Sequence, residues 1–270
     1  MHEVQDPELD KLAQRGSAPP RLKGRIALVT GASRGLGRFF AEALAREGAQ
    51  VILAARSVNT LQEVAARIER AGGASHCVEM DVASGDSVSR AFDKIVAQWG
   101  CPGIVVNNAG ITEMADTLEQ DPRSFDRILH TNLRGPWMVA REAAKHMVAA
   151  KVHGAIVNIA SIIAMRQAGK VTAYAVTKAA LVQLTKQLAL EWARYGIRVN
   201  ALAPGYVETD LNREFFASAK GQEMIRRIPM RRLTRMEDLT EPLMLLAGDG
   251  GRFVTGIVLP VDGGHLLSGL

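Results

Sequence analysis

Between residues 25 and 262 the sequence alternates short apolar runs with longer segments of helical periodicity. The runs are rich in Val and Ile, and most end at Gly, Asp, Asn or Ser, which is typical of strands buried on both faces of a sheet. They are RIALVT, AQVILAA, ASHCVEMDV, GIVVNNA, AIVNIAS, IRVNALA and GIVLPVD. Because strands and helices alternate with short connections, the pattern predicts a parallel sheet with helices on both faces, a doubly wound α/β fold.

The helical segments lie between the runs, and the longest of them covers residues 124–150. No repeat or linker-like stretch follows residue 21, so we predict a single domain over residues 22–270. Residues 1–21 are charged and broken by prolines. They are predicted to form a flexible N-terminal extension.

Residues 206–235 interrupt the alternation directly after the sixth run. An insertion at the carboxyl end of a strand lies where ligands bind in such sheets, and its apolar residues suit a substrate-binding lid. A helical pair packed on the core is an equally good interpretation. The segment ends in the basic run RRIPMRRLTR, residues 226–235. This run is either a solvated loop or subunit contact, or a contact for an anionic substrate or carrier.

Composition excludes several classes of function. The net charge is +5, but Lys and Arg are scattered and aromatic residues make up 5%, whereas nucleic-acid binding needs basic residues on one face beside aromatic platforms. We therefore expect no nucleic-acid partner. No apolar run approaches the length that crosses a bilayer, and the N-terminus lacks a signal-peptide segment. Cys77 and Cys101 lack metal-ligand spacing, and as buried free thiols they predict a cytoplasmic protein without a metal site.

A glycine-rich turn, TGASRGLG at residues 30–37, follows the first apolar run and precedes a helix. Gly31, Gly35 and Gly37 allow a sharp turn, close approach to a pyrophosphate and tight packing of the helix. The N-terminus of that helix attracts phosphate through its partial positive charge. This placement predicts a dinucleotide site.

The end of the second run indicates which dinucleotide is preferred. An enzyme that prefers NAD has Asp or Glu there, which holds the ribose hydroxyls. This chain has Ala55 and Arg56 at that point, and Arg34 lies within the glycine turn. Two guanidinium groups without a carboxylate favour a 2′-phosphate, so NADP(H) is predicted over NAD(H).

A phenol and an ammonium lie one turn apart in the apolar stretch AYAVTKAAL, residues 173–181. Tyr174 and Lys178 are four residues apart, so on a helix they project from one face. Taken alone, such a pair is usually an aromatic edge with a lysine extending to the surface. The remaining motifs favour a chemical role.

Several motifs occur together in a characteristic order. They are TGASRGLG, NNAG at residues 107–110, Asn132 in TNLRG, Ser161 in NIASI, YAVTK at residues 174–178, and PG at residues 204–205. In this combination the chain resembles the short-chain dehydrogenase/reductase family from about residue 22 to 265. The resemblance implies a Rossmann-like sheet of seven strands in a three-layer sandwich, an NAD(P)-dependent oxidoreductase, and a homotetramer or homodimer.

The family's catalytic tetrad carries over to Asn132, Ser161, Tyr174 and Lys178. The resemblance makes Tyr174 the general acid in reduction and the base in oxidation. Lys178 would bind the nicotinamide ribose and lower the pKa of the phenol. Ser161 would hold the substrate oxygen, and Asn132 would position a water that connects Lys178 to solvent.

The resemblance also implies cofactor contacts along the carboxyl edge of the sheet. Asp81 and Val82 would flank the adenine, residues 108–110 would line the adenosine half, and residues 204–209 would approach the nicotinamide amide. The full predicted set is Gly31, Ser33, Arg34, Gly35, Leu36, Gly37, Arg56, Asp81, Val82, Asn108, Ala109, Gly110, Tyr174, Lys178, Pro204, Gly205, Val207 and Thr209. One departure is Gly103, where many members have an Asp that supports the adenine pocket.

The resemblance leaves the substrate open among 3-oxoacyl thioesters, sugar acids or polyols, and other ketones. Carrier-dependent reductases have docking arginines near the ends of the long helices; here those places hold Lys151 or Val152, and Tyr195 beside Arg194, an incomplete match. A different class is a non-catalytic dinucleotide-binding redox sensor. Such proteins typically lose Tyr or Lys of the active pair, whereas this chain keeps the whole tetrad.

Overall fold

All seven predicted strands lie in one parallel sheet of the computed structural model, which describes residues 20–208 and 212–268. The sheet order is β3-β2-β1-β4-β5-β6-β7, so the chain reverses direction of winding between β1 and β4. The strands are β1 Ile26–Thr30, β2 Gln50–Ala55, β3 Ala74–Glu79, β4 Ile104–Asn107, β5 Gly154–Ile159, β6 Ile197–Pro204 and β7 Val258–Val261. The predicted Rossmann-like, doubly wound sheet is confirmed.

The helices of the described residues connect these strands. They are α1 Gly35–Arg46, α2 Val58–Arg70, α3 Gly85–Trp99, α4 Pro122–Leu129, α5 Gly135–Ala150, α6 Thr172–Trp192, α7 Arg213–Ala217, α8 Ala219–Arg227 and α9 Thr240–Ala247. Local chemistry sets several of their starts. The side chain of Ser84 accepts a hydrogen bond from the Ser87 amide at the start of α3, and Asp121 does the same for Arg123 before Pro122 in α4.

The sheet separates two apolar layers, because neighbouring strand residues point to opposite faces. Val51 and Leu53 pack with α1, α2 and α9, around side chains such as Phe40. Ile52 packs with α3, α5 and α6, around side chains such as Phe92. The result is the predicted three-layer sandwich.

The predicted helix over residues 124–150 is interrupted. A π-helical turn, His130–Arg134, separates α4 from α5. The wider turn carries Asn132, whose side chain is fully buried. Single π turns are frequent at functional sites, and this one directs an amide into the interior.

The described part of segment 206–235 contains the short helices α7 and α8. Phe216 of α7 is buried and lies edge-on to Tyr206, with ring centres 5.9 Å apart. Ile228, just after α8, is also buried. This arrangement matches the helical-pair interpretation; closure over the site remains a prediction.

The basic run at residues 226–235 is engaged largely with its own surroundings. Arg232 makes two hydrogen bonds to Asp238, and Arg227 pairs with Glu223 at 2.8 Å. Arg231 donates to the main-chain carbonyl of Arg226. These contacts favour the solvated-loop interpretation over a free anion-binding patch.

The N-terminal border of the domain lies within the described residues. Arg21, the last residue of the predicted extension, pairs with Glu47 at 2.6 Å and Glu241 at 2.7 Å. Residues 1–19 lie outside the described part. Over residues 20–208 and 212–268, no helix combines the length and apolar character needed to span a membrane.

Candidate active site

The glycine turn after β1 is built for close contacts. Gly31 and Gly35 adopt positive φ angles of 64° and 54°, a region that favours glycine. A Cβ on Gly37 would lie 2.1 Å from the Gly31 carbonyl oxygen and 2.5 Å from Asn108 Nδ2. A Cβ on Gly31 would lie 2.9 Å from the Cα of Ala109. Glycine is therefore needed where the turn, α1 and the loop after β4 converge.

Side-chain hydrogen bonds join this turn to the loop after β4. Asn108 Nδ2 donates to the carbonyl oxygens of Thr30 at 3.0 Å and Gly31 at 3.3 Å. Thr30 Oγ1 accepts from the amides of Asn108 and Ala109, each at 3.1 Å. Sequence reasoning missed Thr30, although a hydroxyl at the end of β1 was a readable signal.

Arg34 and Arg56 lie at adjacent strand ends. Arg34 precedes α1, Arg56 follows β2, and the Ala32 amide donates to the Ala54 carbonyl at 3.2 Å between them. Both arginines are exposed, and neither side chain has an ion-pair partner within the described ranges. Ser33 and Leu36, in the same turn, are partly exposed.

Asp81 and Val82 lie just beyond β3, beside the end of β2. The Asp81 carboxylate accepts from the Ala83 amide at 3.0 Å, which orders the strand end. Val82 is buried against Gly135, where a Cβ would lie 3.1 Å from Val82 Cγ2. These residues form the next step along the carboxyl edge of the sheet.

Asn132 braces the loop that follows NNAG. Its Oδ1 accepts from the Ile111 amide and its Nδ2 donates to the Ile111 carbonyl, both at 2.8 Å. Nδ2 also lies 3.4 Å from Thr177 Oγ1. The amide therefore fixes the loop; its predicted role in holding a water remains a prediction.

Ser161, Tyr174 and Lys178 come together beside this brace. Ser161 lies beyond β5, and its hydroxyl acts on Tyr174 to lower the pKa of the phenol, against the larger raising effect of burial. Lys178 Nζ lies 5.6 Å from the centre of the Tyr174 ring and donates to the Ile159 carbonyl at 2.7 Å. A Cβ on Gly110 would lie 3.8 Å from Lys178 Nζ and 3.4 Å from Asn132 Oδ1. The predicted tetrad thus forms one cluster around Gly110.

Burial shifts the pKa values of both Tyr174 and Lys178. Lys178 is 5% exposed, and loss of hydration lowers its pKa from 10.5 to about 8. The sequence predicts a lowered pKa for Tyr174, but in the protein alone that pKa is raised. Burial of the phenol, the larger effect, raises this pKa, and Ser161 acts in the opposite direction without reversing it.

The PG pair closes the far end of this edge. Pro204 ends β6, and the Gly205 amide donates to the Val261 carbonyl at 2.9 Å. A Cβ on Gly205 would lie 2.9 Å from the Cα of Asp262. Val207 is buried and pairs with Thr234 in an isolated parallel bridge. Thr209 lies outside the described residues.

These residues fit a dinucleotide. Gly31 and Gly37 have no room for a side chain, so main chain is exposed at these two points near the N-terminus of α1, where a pyrophosphate would meet main-chain amides. Arg34 and Arg56 would lie beside the adenosine ribose of a bound dinucleotide, and the Tyr174 cluster would lie beside its nicotinamide. The candidate set thus follows one edge from β3 to β6, across the point where the winding of the sheet reverses.

The two cysteines contribute nothing to this edge. Cys77 and Cys101 are free thiols, but both are partly exposed rather than buried as predicted, because β3 lies at an edge of the sheet and Cys101 lies in a connecting loop. Their partial loss of hydration raises the pKa of each thiol. Among the described residues, no cluster of His, Cys, Asp or Glu could hold a metal ion.

Comparisons with known proteins cover nearly the whole domain. The sequence model of a family described as enoyl-(acyl carrier protein) reductase matches residues 31–265. The chain is 39% identical over 251 residues to the 3-oxoacyl-(acyl-carrier-protein) reductase of Pseudomonas aeruginosa, covering 92% of this chain and 99% of that protein. It is 38% identical over 248 residues to 3beta-hydroxysteroid dehydrogenase 1 of Eggerthella lenta, covering 91% and 95%.

A solved structure extends the similarity to the backbone. The crystal structure of a gluconate 5-dehydrogenase from Burkholderia cenocepacia, in complex with NADP and tartrate, superposes with a TM-score of 0.89. The two chains are 37% identical, and the match covers 93% of this chain and 98% of that one. Residues 31–37 of the glycine turn and the Tyr174 cluster fall within the matched residues 31–265.

Proposed function

Because the chain belongs to the short-chain dehydrogenase/reductase family, we propose that this oxidoreductase interconverts a carbonyl and a secondary alcohol with NADP(H), using Tyr174 as proton donor and acceptor. One observation carries the proposal: the buried Lys178 ammonium lies 5.6 Å from the centre of the Tyr174 ring, at the carboxyl end of the sheet where Ser161 follows β5. A redox sensor binds the dinucleotide without transferring a proton, so it does not need a phenol and an ammonium in this arrangement.

The chain's own residues supply binding, orientation and proton transfer. When bound, the nicotinamide donates or accepts the hydride. Ser161 holds the substrate oxygen, and Tyr174 gives it a proton in reduction or takes one in oxidation. The Lys178 ammonium stabilises the phenolate by its charge and binds the ribose. Asn132 keeps Ile111 in place and positions a water that reconnects Lys178 to solvent.

The broad test is a spectrophotometric screen of NADPH oxidation and NADP reduction. The panels are ketoacyl thioesters, steroids, sugar acids and polyols, and simple ketones, because the relatives are named for 3-oxoacyl, steroid and gluconate substrates. Turnover in any panel supports the proposed function. Tight NADPH binding without turnover in any panel would favour the sensor alternative instead.

A preference for NADP(H) is supported by Arg34 and Arg56, and the Burkholderia relative was solved with NADP. We expect Arg56→Asp to weaken NADPH binding about 10- to 100-fold, because a charge-assisted bond to the 2′-phosphate becomes a repulsion. NADH binding should stay the same or improve. Fluorescence titration of both nucleotides measures the two affinities.

Arg90→Asp is the matched control for this charge change. Arg90 is exposed on α3 and is not among the predicted cofactor contacts. The control should leave the ratio of NADPH to NADH affinity unchanged. Equal weakening of both nucleotides by Arg56→Asp would remove the argument for 2′-phosphate recognition.

We also propose a cytoplasmic homotetramer or homodimer. Exposed apolar side chains repeat along single faces of two adjacent helices: Trp137 and Val148 on α5, and Val176 and Leu190 on α6. Leu190 is 77% exposed, which is unfavourable on a free surface. Sedimentation velocity should find an oligomer, and Leu190→Lys should shift it toward smaller species. A monomeric wild-type protein would contradict this.

A further inference from the structure

Resting on the proposed function, we propose that Arg166, Tyr206 and His265 form a carboxylate-binding subsite, which makes the preferred substrates oxo acids and hydroxy acids. The three residues come from separate loops beyond β5, β6 and β7. The subsite would lie on the substrate side of Ser161 and Tyr174. It would select among carbonyl compounds by charge rather than take part in the reaction.

Arg166 is placed by the same turn that carries Ser161. A short helix, Ile162–Ala164, follows Ser161, and the Arg166 amide donates to the Ile162 carbonyl at 3.0 Å. The guanidinium is half-buried and donates one bond, from Nη1 to the His265 carbonyl at 2.8 Å. That bond holds the side chain across the cleft, next to the loop beyond β7.

The positive charge of Arg166 has no carboxylate partner within residues 20–208 and 212–268. The neighbouring carboxylate, Asp262, is occupied by main-chain amides: Oδ1 accepts from Gly264 at 2.9 Å and Oδ2 from Leu266 at 2.7 Å. A half-buried guanidinium with unused donors is therefore left facing the loops of the cleft. The paired N–H donors of a guanidinium match the two acceptor oxygens of a carboxylate.

Tyr206 and His265 lie against this charge. Their ring centres are 5.4 Å apart, and Tyr206 directly follows the PG pair at the end of β6. His265 is 3% exposed, and its buried Nδ1 has no hydrogen-bond partner in the described structure. Burial raises the pKa of Tyr206 and lowers that of His265, and in both cases the Arg166 charge acts to lower it. The bond from Arg166 to the His265 carbonyl and the contact between the two rings place the three groups together.

Within the described residues, a guanidinium without a carboxylate partner, an imidazole nitrogen without a hydrogen-bond partner and a phenol form a set of polar groups that suits an anion. Phe216 stands edge-on to Tyr206 and supplies an apolar wall. Low local polarity strengthens a charge-assisted bond to a carboxylate. A neutral ester or amide would leave the guanidinium unpaired and would bind less well.

Matched acids and methyl esters test the proposal. Pyruvate, acetoacetate and levulinate, each beside its methyl ester, vary the spacing between ketone and carboxylate. With NADPH, the wild type should have a higher kcat/KM for the best acid than for its ester. Arg166→Met should lower kcat/KM for that acid about 100-fold. Its kcat/KM for the ester should change less than about threefold. Arg166→Lys should recover part of the loss, because it keeps the charge without the fork.

Two variants keep this result interpretable. Tyr206→Phe retains the ring contacts and should lower kcat/KM for the acid about three- to tenfold. Its kcat/KM for the ester should not change. Arg90→Met removes an exposed arginine on α3 and should leave kcat/KM unchanged for both the acid and the ester. An equal loss of acid and ester activity in Arg166→Met, or no loss, would overturn the subsite.

A binding measurement separates this proposal from the proposed function. Calorimetry with the Tyr174→Phe protein and NADPH reports carboxylate binding without turnover. Binding of the best acid but not its ester, lost in Tyr174→Phe combined with Arg166→Met, supports the subsite even if no substrate of the panel reacts. Acid and ester binding equally, or neither binding, would overturn it.

Discussion

Replacing Tyr174 by Phe is expected to lower kcat by about 10²–10⁴-fold, the range that loss of a general acid produces. The substitution removes one hydroxyl and keeps the ring that packs beside Lys178. NADPH affinity should therefore stay within about threefold of the wild type. Initial rates on the best substrate of the screen and a fluorescence titration of NADPH measure the two effects.

Tyr195→Phe is the matched control, because it removes a phenol at the far end of α6, where Tyr195 is 41% exposed. It should leave kcat unchanged. A Tyr174→Phe protein that kept the wild-type rate would exclude the phenol as proton donor. A Tyr174→Phe protein that lost NADPH binding would point instead to a structural role.

Gly37→Ala is expected to abolish tight NADPH binding and to destabilise the fold. The new Cβ would lie 2.1 Å from the Gly31 carbonyl oxygen and 2.5 Å from Asn108 Nδ2, so main chain must move. Overpacking of this kind destabilises by about 1–3 kcal/mol or more. Because the displaced atoms form the phosphate turn, NADPH affinity should fall more than about 100-fold. Urea unfolding and nucleotide titration measure the two losses.

Gly85→Ala offers a comparison at another helix start. A Cβ on Gly85, the first residue of α3, would meet only Met138 Sδ at 3.6 Å, an ordinary contact. Stability should change by less than about 1 kcal/mol, and nucleotide affinity should not change. A Gly37→Ala protein that bound NADPH as well as this control would show that the turn tolerates a side chain.

The strands were the most predictable part of the fold. A strand buried on both faces must be apolar throughout, so runs such as IRVNALA stand out from the sequence, and β6 begins where that run begins. The ends were less certain. Met80 and Asp81 continue the third apolar run but lie beyond β3, because a serine hydroxyl and an Asx turn take over the hydrogen bonds there.

The tetrad was predictable only through the combination of motifs, and its details depend on tertiary contacts. Pro136 has no amide to donate to the Asn132 carbonyl, which is a local reason for the interruption at residues 130–134. The direction of the Asn132 amide depends on tertiary contacts, because it bonds Ile111, 21 residues earlier. The pKa of Tyr174 depends on how deeply the phenol is covered. Arg166 and His265 are 99 residues apart, so their contact could not be inferred from the chain.

The buried ammonium of Lys178 links protonation to folding. Its pKa of about 8 lies below the value of about 10.4 that an exposed lysine has in the unfolded chain. Between these two values the unfolded chain holds the extra proton, so this group's contribution to the free energy of unfolding rises with pH across that window. Below pH 8 both states are protonated, and the folded domain carries a constant penalty on the order of 3 kcal/mol. Raising the pH above 8 should therefore remove this penalty and stabilise the folded domain. At neutral pH the protein keeps a charged, poorly hydrated ammonium beside Tyr174 at a cost in folding stability.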